Sequence, residues 1–158
     1  MRSCIYPGSF DPVTKGHLDI IERTAALFDK VHVAVLNNSQ KKYMFDIGER
    51  EAMLTRVCAD FDNVDVCTSG GLLVGLMEQL DTRTIIRGLR SNADLELEQQ
   101  LAAVNGQLLE GVETVILLSR PEMIYVSSGL VKELISYGAD VSGYVPGSIL
   151  DIIHGRNS

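Results

Sequence analysis

The 158-residue sequence contains neither a GxxxxGK[ST] P-loop nor a GxGxxG dinucleotide fingerprint, which sets aside the commonest phosphate-binding loops and disfavours a dinucleotide-dependent oxidoreductase. No stretch approaches the ~20 apolar residues a membrane span needs. The start of the chain has one arginine and a brief apolar run before Pro7, far short of a secretory signal. Basic residues are few: 14 Lys+Arg stand against 21 Asp+Glu, a formal charge of −7. An acidic chain is a poor polyelectrolyte partner, so neither long nucleic acid nor an anionic membrane is an expected ligand. The three cysteines, Cys4, Cys58 and Cys67, are odd in number and have no metal-ligand spacing. They read as reduced thiols of a cytoplasmic protein. No His/Cys cluster suggests zinc, and no Ser-His-Asp set is apparent from spacing.

What is present is ordinary globular composition, 46% hydrophobic and 22% charged. One domain over residues 1–158 is expected, burying roughly two-thirds of its unfolded surface. Strand-like and helix-like segments alternate. Strands are expected at Ser3–Tyr6, Val31–Leu36, Val64–Val66, Thr84–Ile86 and Thr114–Leu118. Helices are expected at Gly16–Phe28, from Asp46 to about Cys58, at Leu72–Leu80, from Asn92 or Ala93 to about Leu109, at Gly129–Ser136 and at Ile149–His154. In the first helix Leu18, Ile21, Ala25 and Phe28 fall at helical spacing, and in the longest Leu97, Leu101, Val104 and Leu108 share a face. Strands joined through helices require βαβ crossovers. The fold class is therefore α/β, a Rossmann-like doubly wound domain with a parallel sheet of about five strands. Ligands of such sheets bind beyond the carboxyl ends of the strands. The loops Pro7–Asp11, Asn37–Lys42, Arg87–Arg90 and Ser119–Ser128 should gather at that edge.

The densest chemistry lies in Tyr6-Pro7-Gly8-Ser9-Phe10-Asp11-Pro12 and Thr14-Lys15-Gly16-His17. Backbone N–H groups, a hydroxyl and an imidazole meet there at a helix N-terminus, a phosphate-binding arrangement. Several readings stay open. Ser9 is a turn hydroxyl or a phosphate ligand. Asp11 caps the turn or orients a cation-binding network. His17 is a surface histidine near a helix start, or a ring N–H donor to phosphate. Lys41 and Lys42 are solvated surface or anion binders, and Lys132 is a further cation after the fifth strand. Arg87 ends an apolar strand before a glycine, which brings a guanidinium to the site edge; with Arg90 it suits phosphate. Asp94 and Glu98 stabilise a helix dipole, or Glu98 reaches a ribose hydroxyl. Ser127-Ser128 caps a helix and can hold a triphosphate at the same end. His32 and His154 have no such setting and read as structural.

With these residues in place, the chain resembles the bacterial phosphopantetheine adenylyltransferases, nucleotidyltransferases with an (H/T)xGH signature, here Thr14-Lys15-Gly16-His17. The likeness runs through Ile86-Arg87-Gly88-Leu89-Arg90 to Ser127-Ser128 and Val131-Lys132-Glu133. It implies transfer of the adenylyl group of ATP to 4′-phosphopantetheine, giving dephospho-coenzyme A and pyrophosphate. It further implies Mg²⁺ carried mainly by the ATP phosphates, a cytoplasmic homohexamer, and coenzyme A as feedback inhibitor. By matching positions, Ser9, Lys41, Leu73 and Arg87 would contact phosphopantetheine. Ser9, Phe10, His17, Gly88, Leu89, Arg90 and Glu98 would contact ATP, with Met123, Ile124, Tyr125, Val126, Ser127, Ser128 and Gly129 over its base and phosphates. His17 would be the transition-state stabiliser, aided by Lys41 and Arg90.

The sequence departs from the commonest family pattern in places. Ser9 stands where threonine is also common, Leu95 and Leu97 where aromatic residues are frequent, and Gly129 in place of a third serine. The rival readings are a relative that uses another acceptor, such as nicotinate mononucleotide or glycerol 3-phosphate, and a non-catalytic ATP-binding regulator.

Overall fold

The computed structural model describes residues 1–155; residues 156–158 of the expected domain lie outside them. Five strands, β1 (Ser3–Gly8), β2 (Lys30–Leu36), β3 (Val64–Ser69), β4 (Thr84–Leu89) and β5 (Glu113–Leu118), form one sheet in the order β3-β2-β1-β4-β5. Every pairing is parallel. The six α-helices are α1 (Lys15–Leu27), α2 (Ile47–Val57), α3 (Leu73–Gln79), α4 (Asn92–Leu108), α5 (Ser128–Ser136) and α6 (Leu150–His154). The chain winds outward from β1 to β3 and then resumes on the other side at β4. The strand order therefore reverses between β1 and β4, which opens a crevice at their carboxyl ends.

Alternation along the strands builds two cores. Cys4 and Tyr6 of β1, with Val31, Val33 and Val35 of β2, face Ile20, Ile21, Met53, Leu54, Val131 and Ile153 from α1, α2, α5 and α6. Ile5, Ala34 and Ile85 face the opposite way, against Met77 of α3. All three cysteines are free, and burial pushes the Cys4 and Cys58 thiols up to about 12 and 11, so neither is a reactive thiolate.

Expected and observed elements agree in number and order, with informative differences at their ends. Pro7 and Gly8 belong to β1, because Pro7 pairs with Ala34 and Gly8 with Val35. Arg87, Gly88 and Leu89 belong to β4, held by Ile116, Leu117 and Leu118. Ile149 lies in a 3₁₀ turn, Gly147–Ile149, ahead of α6. In α1 the deepest face is Ile20, Ile21 and Thr24, with Leu18 and Phe28 at its margin. Thr24 is accommodated because its hydroxyl donates to the Ile20 carbonyl at 2.7 Å. The α4 stripe does share a face, but Leu97, Leu101, Val104 and Leu108 are all exposed and Glu98 is the only buried residue of that helix.

The expected capping box of α2 is present: Asp46 accepts from the Glu49 N–H, and Glu49 accepts from the Asp46 N–H, each at 2.8 Å. One turn on, Arg50 is fully buried. Its guanidinium donates to the carbonyls of Ser9 (2.9 Å), Leu36 (3.1 Å) and Phe45 (3.1 Å) and to Asn37 Oδ1 (2.8 Å), and stacks on Tyr43 at 3.9 Å. This fork holds the carboxyl ends of β1 and β2 together. Arg50→Met should strand those acceptors and lower unfolding free energy by about 3 kcal/mol, read as a lower urea midpoint at unchanged slope. Arg50→Lys should recover little, since an ammonium cannot span the fork.

Candidate active site

The four expected loops meet at the β1/β4 crevice. A cavity of about 360 Å³ is lined by Ser9, Phe10, His17, Arg87, Gly88, Arg90, Glu98, Met123, Val126 and the Ser127-Ser128-Gly129 run. A larger one, about 760 Å³, adjoins it and is lined by Ser9, Lys41, Leu73, Arg87 and Glu98, with Leu101, Val104, Asn105 and Leu108 of α4. Ser9, Arg87 and Glu98 border both. Leu89, Ile124 and Tyr125 line neither; Tyr125 is 80% exposed.

The turn after β1 is set by close packing. Phe10 has φ 48° and is buried. A Cβ on Gly8 would meet the Phe10 ring at 3.0 Å, so glycine is needed for the ring to fold back. The same ring meets His17 edge-on at 4.9 Å. His17 is at the third position of α1, and there it completes an unusual capping box. The His17 N–H donates to Thr14 Oγ1 at 3.3 Å, and the Thr14 N–H donates to His17 Nδ1 at 3.0 Å. Nδ1 therefore serves as an acceptor, which places the ring proton on Nε2. Burial, reinforced by Arg90 and Arg87, lowers the His17 pKa to about 4. The imidazole is a neutral N–H donor, held rigidly at the crevice.

The arginines divide the edge. Arg87 Nε and Nη2 are held by the nearly buried carboxylate of Glu98 at 2.7–2.9 Å, and its Nη1 donates to the Pro7 carbonyl at 2.7 Å. Glu98 thus fixes a guanidinium, with both oxygens engaged. Arg90 is exposed and its amide donates to Asp94 Oδ2 at 3.1 Å. Lys41 is exposed on the loop after β2. Ser127 is the N-cap of α5, accepting from the Leu130 N–H at 3.1 Å. The Ser128 hydroxyl donates to the Pro12 carbonyl at 2.8 Å, so its single proton is committed to the β1 turn. A Cβ on Gly129 would approach only Ser127 Oγ, at 3.9 Å; sterics do not demand glycine there.

Of the two readings of Asp11, the contacts favour the cation network over a cap of its own turn. The buried carboxylate accepts from the Met44 and Phe45 amides at 2.9 and 2.8 Å and from Lys132 Nζ at 3.2 Å. His32 is buried in β2, away from both cavities. Arg50 and Asp19, which belong to no motif in the sequence, are also part of the site's framework. Asp19 binds Arg120 at 2.9 Å and Arg23 at 3.0 Å, and Arg23 donates to the Leu118 carbonyl, which moors the segment leading to Met123. Arg50 shares a helical face with the buried Met53, Leu54 and Val57, and that spacing was the available signal.

His17 makes a pH prediction. An unfolded histidine titrates near 6.5, so the stability linked to its neutral folded form is fully present above pH 6.5 and is lost as pH falls from 6.5 towards 4. Long-range ¹H–¹⁵N spectra of the free protein should show an Nε2–H ring that does not titrate between pH 8 and 5.5. In His17→Asn the acid-side fall in thermal midpoint should be shallower.

Comparison with known proteins agrees with this geometry. The cytidylyltransferase-like family profile matches residues 5–134. The chain is 46% identical over 156 residues to a phosphopantetheine adenylyltransferase of Clostridium beijerinckii, covering 99% of this chain and 98% of that protein. It is 44% identical to one from Clostridium perfringens over all of this chain and 96% of that protein, and 43% identical to one from Natranaerobius thermophilus over all of this chain and 98% of that protein. With a neutral imidazole, two arginines and a lysine gathered at the β1/β4 crevice, and relatives of this likeness over its full length, the chain belongs to the phosphopantetheine adenylyltransferase family of nucleotidyltransferases.

Proposed function

We propose that residues 1–158 act as one catalytic unit that transfers the adenylyl group of ATP to 4′-phosphopantetheine, releasing pyrophosphate. The observation that carries the acceptor assignment is the larger cavity. Its lining combines two cations, Lys41 and Arg87, with apolar side chains from Leu73 and from Leu101, Val104 and Leu108 of α4. That form suits a phosphate joined to an extended, largely apolar arm. The smaller cavity, with the N-termini of α1 and α5 on its rim, suits a nucleotide triphosphate.

The chemistry needs no general base, because a phosphate oxygen is already ionised at neutral pH. That oxygen attacks the α-phosphorus, the bond from α-phosphorus to the bridging oxygen of the β-phosphate breaks, and pyrophosphate leaves with the electron pair. The protein must align the two phosphates and neutralise charge. His17 Nε2–H donates to a non-bridging α-oxygen, and its hydrogen bond strengthens as charge accumulates there. Arg90 and Lys41 supply positive charge on either side. Arg87, locked by Glu98, orients the acceptor. Magnesium travels with ATP in this reading. Among the described residues no group of three His, Cys, Asp or Glu is placed to hold a metal, and Asp11, Asp94 and Glu98 are engaged by Lys132, Arg90 and Arg87. Coenzyme A, which contains the same arm, would inhibit by occupying the acceptor cavity. Among the described residues no helix is long and apolar enough to cross a membrane, and the free thiols support a cytoplasmic setting.

Pyrophosphate release from ATP should occur with 4′-phosphopantetheine and not with nicotinate mononucleotide or glycerol 3-phosphate; absence of turnover with the first refutes the assignment. In the same assay His17→Ala should lower kcat by about 10²–10³-fold, with calorimetric ATP affinity within threefold of wild type. Parallel losses of rate and affinity would mean that His17 binds the ground state instead.

Self-association is supported by the apolar side chains left open on α4 and β5, among them Val104, Leu108 and Leu118. Sedimentation equilibrium should give about six times the 17.3 kDa chain mass if the homohexamer forms; a monomer mass rejects it.

A further inference from the structure

A third cavity, about 220 Å³, borders the two already described. Ser9, Lys41, Lys42, Ser128 and Lys132 line it, with Asp11 on its wall. It shares Ser9, Lys41 and Tyr43 with the acceptor cavity and Ser9 and Ser128 with the nucleotide cavity, so it borders both beside their common wall at Ser9. Lys132 is one turn beyond Ser128 in α5. Its side chain is 35% exposed, whereas that of its partner Asp11 is 3% exposed.

Asp11 spends Oδ1 on the Phe45 amide and Oδ2 on the Met44 amide and Lys132. One of the three ammonium protons of Lys132 is thereby held, and two are left for a ligand. Three lysines against one carboxylate leave two positive charges in the cavity, which matches the charge of a phosphate monoester near pH 7. From this we propose that Lys132 is a ligand of the acceptor phosphate, with Asp11 as the residue that positions its ammonium. Lys132 transfers no proton. It offsets repulsion between the incoming phosphate and the α-phosphate of ATP, and draws the attacking oxygen towards the nucleotide side of the crevice. The proposal rests on the acceptor assignment above.

Calorimetry on the full chain separates the two ideas. Wild-type protein should bind 4′-phosphopantetheine more tightly than pantetheine. In Lys132→Met that preference should shrink at least tenfold, while affinity for pantetheine and for ATP stays within threefold. Turnover should fall at least 100-fold in Lys132→Met and less than tenfold in Lys132→Arg, which keeps a cation on Asp11. If Lys132 only shields Asp11, the double variant Asp11→Asn with Lys132→Met should regain turnover; such recovery overturns the proposal. Inorganic phosphate is the second probe. A wild-type protein indifferent to phosphopantetheine overturns the acceptor assignment. Equal phosphate affinity in wild type and in a folded Lys132→Met protein overturns the role of Lys132.

Discussion

The buried guanidinium of Arg50 is the constraint on which the site depends. Strands of a parallel sheet end in carbonyls with no further partner, and at the crevice those carbonyls belong to the segments that must hold substrate. Arg50 takes two of them, at Ser9 and Leu36, and adds the Phe45 carbonyl just ahead of α2. Asp11 supplies the opposite charge from the other side, accepting the amides of Met44 and Phe45. The loop between β2 and α2 is thus clamped at one end by a cation on its carbonyls and an anion on its N–H groups. Lys41 is carried on that loop, so its reach towards the acceptor is set by side chains that do not themselves touch substrate.

The same fixing of donors extends to Arg87 and to the neutral His17. Arg87 is held by Glu98 and by the Pro7 carbonyl, and His17 by the Thr14 amide. Fixed donors of this kind cost little reorganisation when charge develops on a phosphoryl group. A neutral imidazole can sit at the start of α1 beside two arginines, where an imidazolium would be disfavoured both by the helix dipole and by its neighbours. The depressed pKa of His17 is therefore first a consequence of its burial at the crevice, and second of the positive groups gathered around a phosphate site.

The fold was legible because its signals are local. Apolar runs at β2 and β4, the Asp46–Glu49 box and the Ser127 cap are all decided within a few residues. The ends of β1 and β4 were misplaced by two or three residues because Pro7, Gly8 and Gly88 read as turn formers; lateral pairing with β2 and β5 overrides that local preference. Arg50 lies on the apolar face of α2, but nothing near it in the chain announces that the carbonyls of Ser9, Leu36 and Phe45 will converge on it. Ser128 was expected to serve a triphosphate, and only the approach of Pro12, 116 positions away in the chain, engages its hydroxyl.

The sequence by itself determined the α/β alternation, the phosphate-binding turn from Pro7 to His17 and the family, because periodicity and short motifs are properties of neighbouring residues. Tertiary structure alone decided which ring nitrogen of His17 carries its proton, that Glu98 locks Arg87, and that Lys132 stands with Lys41 and Lys42 on a single cavity. Each of these depends on long-range packing that joins strand ends to helix starts, and on the low local dielectric created by that packing, which no spacing along the chain encodes.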